Sequence, residues 1–139
     1  MMKTFFKVGP FSAYRQDIYW EGSKYMERWI MKLPFGRMLR LHHICRADTA
    51  RDPHDHPFDF FSLVLRGGYH EHLTEPDRYC YRRAGSVCYR PHHTLHTIAG
   101  VDENTWTLVW AIERQPSWGF KVNPYTHIDW KHYIGLECK

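Results

Sequence analysis

The sequence has no apolar run near the ~20 residues that a membrane-spanning helix needs, so no membrane partner is expected. Cysteine is scarce. Cys45, Cys80, Cys88 and Cys138 form no C-x-x-C pair, and four thiols in 139 residues are too few for a disulfide scaffold. The first residues, MMKTFFKVGPFSAY, hold no apolar stretch long enough for a secretion signal. A cytoplasmic chain with reduced thiols is therefore expected. Low-complexity tracts, long charge runs and internal repeats are also missing. So are the G-x-S-x-G elbow, the phosphate loop, H-E-x-x-H and paired carboxylates, which removes the commonest hydrolase and nucleotide-binding readings. A formal charge of +4 is too small to point to a nucleic-acid partner.

Aromatic residues and histidine are abundant. Phe, Tyr and Trp make up 17% of the chain, far more than a disordered segment carries. Histidine occurs 11 times in 139 residues. That length favours a single domain spanning residues 1–139. Glycine and proline recur throughout, and the segments between them are short and rich in aromatic and branched residues. This pattern predicts an all-β sandwich or barrel.

Strands are expected at residues 25–32, 37–46, 60–66, 69–73, 78–82, 86–90, 95–99, 105–112 and 118–122. Leu33-Pro34-Phe35-Gly36 reads as a hairpin turn, and a helix is considered at 12–20. The segment 105–112 alternates, with Trp106, Leu108, Trp110 and Ile112 on one face and Thr105, Thr107, Val109 and Ala111 on the other. Trp106, Trp110, Trp118 and Phe120 are expected in the core or lining a pocket. Residues 1–30 form an N-terminal extension, 37–122 the barrel and 123–139 a tail. If the tail is helical, Trp130 and Tyr133 share a face.

The histidines are not scattered evenly. His54 and His56 are one residue apart, which on a strand turns both imidazoles to one face. A second group, His92, His93 and His96, follows about 40 residues later. A metal needs three or more donors from at least two segments, and these two groups supply them. Isolated His pairs are more often merely hydrogen-bonded, so the framing residues matter. Gly67 follows the first group, and Gly85 and Pro91 precede His96.

In that frame the sequence resembles the cupin superfamily. The first cupin motif, G-x5-H-x-H-x(3,4)-E-x6-G, is matched by His54-Asp55-His56 and Gly67. The second, G-x5-P-x-G-x2-H-x3-N, is matched by Gly85, Pro91 and His96. The two motifs and the gap between them cover about a third of the chain. Departures are clear. Asp48 stands at the leading glycine, Phe60 (or Phe61) at the acidic ligand, His93 at the second glycine and Gly100 at the asparagine. Asp59 lies one residue before the acidic position. It becomes a fourth ligand if a bulge near Pro57 turns it inward, and faces away if the strand stays regular.

The resemblance implies a double-stranded β-helix, the cupin jelly-roll barrel, with a metal held by His54, His56 and His96, and by Asp59 if it turns inward. It implies a divalent transition metal: Fe(II) first, with Ni, Zn, Mn or Co as alternatives. It also implies a small-molecule substrate and a homodimer, with residues 1–30 supplying the contact. His43 shares strand parity with Leu39, Leu41 and Cys45. It reads as a pocket base, a donor to a ligand, or a satisfied core histidine. Tyr69 is a second candidate proton carrier. His70 and His72 sit beside Glu71 and Glu75 on what reads as a solvated strand. Arg66, Arg82, Arg83 and Arg90 either hold a substrate anion or protect an edge.

Three functions fit these residues. The first is a non-heme metal-dependent dioxygenase. The second is a metal-assisted isomerase, epimerase or lyase of a sugar or hydroxy acid. The third is a non-catalytic small-ligand-binding cupin.

Overall fold

A computed structural model of the chain describes residues 2–48 and 52–137. Twelve strands and one helix are found among them. A seven-stranded sheet runs in the order β1-β2-β3-β4-β10-β5-β8. Its strands are β1 (Met2–Val8), β2 (Phe11–Trp20), β3 (Ser23–Lys32), β4 (Arg37–Ile44), β5 (Phe58–Arg66), β8 (Val87–Arg90) and β10 (Thr105–Glu113). A three-stranded sheet, β7-β6-β9, comprises β6 (Gly68–Leu73), β7 (Arg78–Arg83) and β9 (His96–Val101). The pair β11 (Gly119–Asn123) and β12 (Thr126–Asp129) leads into helix α1 (Trp130–Glu137). No helix among the described residues is long and apolar enough to cross a membrane. Cys45, Cys80 and Cys88 are free thiols, and Cys138 lies outside the described residues.

The nine expected strands are present, with ends moved by one or two residues. The helix considered at 12–20 is instead β2, antiparallel to both β1 and β3. Its Phe, Tyr, Ile and Trp residues suit a pleated surface, and cross-strand packing decides the outcome. The turn at Leu33–Gly36 does close β3 onto β4, and its Gly36 takes φ +69°.

Period-two alternation determines what faces the interior. On β5, Phe58, Phe60, Ser62 and Val64 are buried while Phe61 and Leu65 are exposed. On β10 the buried set is Thr105, Thr107, Val109 and Ala111. The large residues therefore point outward. Trp106 stacks on Trp29 and His43 on the outer face, and Trp110 is 36% exposed. This corrects their expected place in the core or pocket. The centre of the sheet takes small and β-branched residues, leaving the interior volume to longer side chains from its neighbours.

Two apolar clusters fill the barrel. One holds Trp20, Tyr25, Met26, Ile44, Val64, Tyr69, Ile98, Phe120 and Tyr133. The other holds Phe58, Phe60, Val109 and Ala111, with Met38 packed against it. Helix α1 closes the first cluster. Tyr133 stacks on Phe120 at 3.8 Å, and its hydroxyl donates to Asp52 Oδ2 at 3.0 Å. Trp130 stacks on Trp118. The two residues three apart thus pack on the same part of the barrel, and the tail docks on its own chain.

Candidate metal centre

Backbone pairing brings the two histidine groups together. His54 N donates to His96 O and His96 N to His54 O, both at 3.1 Å. The two residues therefore lie directly opposite one another in an antiparallel bridge. His56 N donates to His92 O, also at 3.1 Å. The segment carrying His54 and His56 is thus held along the segment entering β9. On its other side His54 pairs with Phe120 of β11. On the far side of β11, Gly119 permits the close approach of β12, because a Cβ there would sit 2.1 Å from the Ile128 carbonyl oxygen.

His54, His56 and His96 each present a nitrogen to one small volume, all within 4.8 Å of one another. His56 Nε2 and His96 Nε2 are 2.8 Å apart. Two nitrogens each ~2.1 Å from one ion, at a right angle, would be about 3.0 Å apart. The spacing fits a common ion. His54 and His96 are buried, and the group lies between the two apolar clusters. Trp118 and Phe120 pack against His54, while Phe58 and Phe60 pack against His56. Burial, with His96, His54, Arg40 and His42 nearby, lowers the His56 pKa well below its ordinary value. His56 is therefore neutral at pH 7, the form that binds metal.

Glu71 supports the centre from behind. This carboxylate is 1% exposed. Its Oε1 lies 2.8 Å from His96 Nδ1 and accepts from Arg90 Nε at 3.0 Å. Its Oε2 accepts from Arg90 Nη2 at 2.5 Å and Arg82 Nε at 3.0 Å. Burial opposes ionisation, but the bonds from His96 and Arg90 outweigh it and hold the carboxyl well below its usual range. An ionised Glu71 accepts a proton bond from His96 Nδ1, which leaves the Nε2 lone pair for a metal. On the other ring, Asp48 Oδ2 stands 3.9 Å from His54 Nδ1 and accepts from Ile98 N at 2.9 Å.

The expectation that Glu71 lies on a solvated strand is thus overturned. On β6, Tyr69, Glu71 and Leu73 are buried and His70 is exposed. The apolar residues two positions either side of Glu71 carry the signal for its burial. Arg82 and Arg90, considered for a substrate anion, are occupied by Glu71.

Asp59 is not brought to the histidines. β5 stays regular after Pro57, so Asp59 faces the outside while Phe60, at the family's acidic position, faces the interior. Asp59 Oδ1 accepts from His92 N at 2.8 Å and lies 2.9 Å from His92 Nδ1. Its Oδ2 accepts from Arg114 Nε at 2.6 Å. His43 is also turned away. The inward residues of β4 are Met38, Arg40, His42 and Ile44, so the parity that includes His43 is the outer one. There His43 stacks on Trp106 at 4.5 Å, and its Nδ1 lies 3.1 Å from Glu27 Oε2. Tyr69 faces inward, in the first apolar cluster. Burial, with Cys88 and Glu71 nearby, raises its pKa despite a hydrogen bond with Ser62, so its hydroxyl stays protonated.

The motif glycines have local causes. Gly67 takes φ +71°, and a Cβ there would meet Thr105 Oγ1 at 2.4 Å. Gly85 takes φ +87° in the turn before β8. Both conformations are in the left-handed region that glycine adopts freely.

No protein-family model and no curated protein sequence matches the chain. Solved structures do. An RmlC-like cupin from Shewanella frigidimarina NCIMB 400 superposes with a TM-score of 0.50 at 15% identity, covering 83% of this chain and 95% of that one. The chain has the cupin fold. KdgF from Halomonas sp. gives a TM-score of 0.51 at 22% identity, covering 72% of this chain and 88% of KdgF. FeII HppE gives 0.58 at 10% identity over 72% of this chain and 56% of HppE. The chain therefore spans about half the length of HppE.

Proposed function

We propose that the protein is a metal-dependent dioxygenase of a small organic molecule, with Fe(II) held by His54, His56 and His96. The observation that carries this reading is the neutral donor set, three imidazoles within 4.8 Å and no carboxylate among them. A divalent ion held by these three neutral ligands would supply Lewis acidity and, as iron, redox chemistry with O2. HppE, similar in fold, has been crystallised as an FeII protein, which supports iron over the other divalent metals.

The chain's own residues supply orientation and dryness. Glu71 fixes the tautomer of His96. Phe58, Phe60, Trp118 and Phe120 exclude water from the rings they pack on. Tyr69, kept protonated by burial, is the remaining candidate proton donor, since His43 faces outward.

Anaerobic loading with Fe(II), followed by O2-uptake measurements with a panel of small organic acids and phenols, tests the reading. Uptake that needs both iron and one added compound supports it. Turnover of a sugar or hydroxy acid without O2 would replace it with a metal-assisted isomerase, epimerase or lyase.

A homodimer belongs to the same proposal. β1 ends the seven-stranded sheet, so one of its edges has no neighbouring strand among the described residues. It exposes Met2 (64%), Phe5 (53%), Phe6 (44%) and Val8 (69%). An apolar open edge is a pairing site, and a second copy of β1 fits it. Light scattering should give twice the chain mass for the parent and a monomer for Phe6→Lys; a monomeric parent refutes it.

A further inference from the structure

The inner face of β4 carries an arginine that the metal centre does not use. Arg40 is 7% exposed, and its Nε has no hydrogen-bond partner among the described residues. Ile30 and Val109 lie across from it on the neighbouring strands. The charge that acts on it most strongly is Arg28, another cation, whose own guanidinium is held by the neutral Gln16 amide at 2.6 and 3.0 Å. Burial and the Arg28 charge lower the Arg40 pKa to about 9, so it remains a cation at pH 7. A buried guanidinium without a carboxylate is unfavourable unless something supplies the missing charge.

A cavity of about 240 Å³ at one end of the barrel reaches this arginine. Arg40, Tyr14, Pro57 and Phe58 bound it; Lys32 and Arg37 add two cations to its wall and Glu113 one carboxylate. It is smaller than the ~300–1,000 Å³ pockets of drug-sized ligands. Phe58 is the wall shared with the metal centre. The Arg40 guanidinium lies 4.7 Å from the Phe58 ring centre, and Phe58 stacks on His56 at 5.3 Å.

We propose that this cavity is an anion subsite in which Arg40 binds the carboxylate or phosphate of a small substrate whose other end reaches the three histidines. The subsite rests on the metal-centre reading and narrows its substrate to a short organic oxyanion. The guanidinium fork matches two oxygens of either group, and its existing desolvation makes the charged bonds stronger than in water.

The test is titration of acetate, malonate and inorganic phosphate at constant ionic strength, followed by the Arg40 Nε–Hε NMR signal. It is run on metal-free and metal-loaded protein, with metal content measured on each sample. Saturable binding in the millimolar range is expected for carboxylates or for phosphate, and their ranking tells which oxyanion the site takes. Arg40→Met should lose about tenfold in affinity, and Arg40→Lys an intermediate amount. Arg83→Met, at an exposed position on β7, should bind like the parent. No saturable shift with any of these anions, or equal affinity in Arg40→Met, overturns the proposal. If Arg40→Met does not fold, the parent's Nε–Hε response decides alone. Anion binding without metal uptake would keep the subsite and sink the metal reading; metal uptake without anion binding would do the reverse.

Discussion

Glu71 Oε1 lies 2.8 Å from Nδ1 of His96, and the opposite nitrogen of that ring lies 2.8 Å from His56 Nε2. A buried carboxylate is therefore one imidazole away from the candidate ion site. Glu71→Gln keeps the shape and removes the charge. It should weaken metal retention by ~10–100-fold. It should also destabilise the metal-free protein by ~3–5 kcal/mol, because Arg82 and Arg90 lose their buried counter-ion. Metal content after graded chelation and urea unfolding read the two effects separately.

His96→Ala removes both a metal donor and the partner of Glu71. Its metal content after dialysis should be near zero, against one ion per chain for the parent. Equal content in the two proteins would refute the three-histidine site.

Asp59→Asn should leave metal retention unchanged, because Asp59 is engaged by His92 and Arg114 on the outer face. Its effect should be on acid stability. Burial works against ionisation of Asp59, but the bonds from His92 and Arg114 prevail and lower its pKa from 3.8 to about 2. A carboxyl with a depressed folded pKa stabilises the protein above its unfolded value. That contribution is lost as pH falls through the folded value. The parent should therefore lose stability between about pH 4 and pH 2 more steeply than Asp59→Asn. Urea midpoints measured across that range would show it.

His43→Ala should retain metal and whatever turnover the parent has. The cost falls on packing. Loss of the near-parallel stack on Trp106 should destabilise the fold by ~1 kcal/mol. A drop in metal content in this variant would contradict the outward placement of His43.

Strand positions follow from local chemistry that the sequence carries. Turn residues punctuate it, and the spacing of His54, His56, Gly67, Gly85, Pro91 and His96 survives as geometry. The two glycines occupy left-handed backbone, and His54 and His96 bridge across an antiparallel contact. Which parity faces inward is a different kind of fact. Alternation in β4 and β10 is plain in the sequence, but a period of two has no sign. Choosing the heavy face as the core puts Trp106 and His43 inside, whereas the barrel puts Arg40, His42, Thr107 and Val109 there.

The sequence by itself determined the strand-rich chain, because turn propensity is a property of near neighbours, and it singled out the three histidines by their motif spacing along the chain. Only the tertiary structure decided that Glu71 is buried against His96 and that Arg40 faces the cavity beside Phe58. Both depend on which surfaces the two sheets turn toward each other. Whether a charged residue is buried is settled by partners drawn from distant strands. Arg82 and Arg90 neutralise Glu71 from β7 and β8, while Arg40 meets Phe58 of β5 and no carboxylate among the described residues.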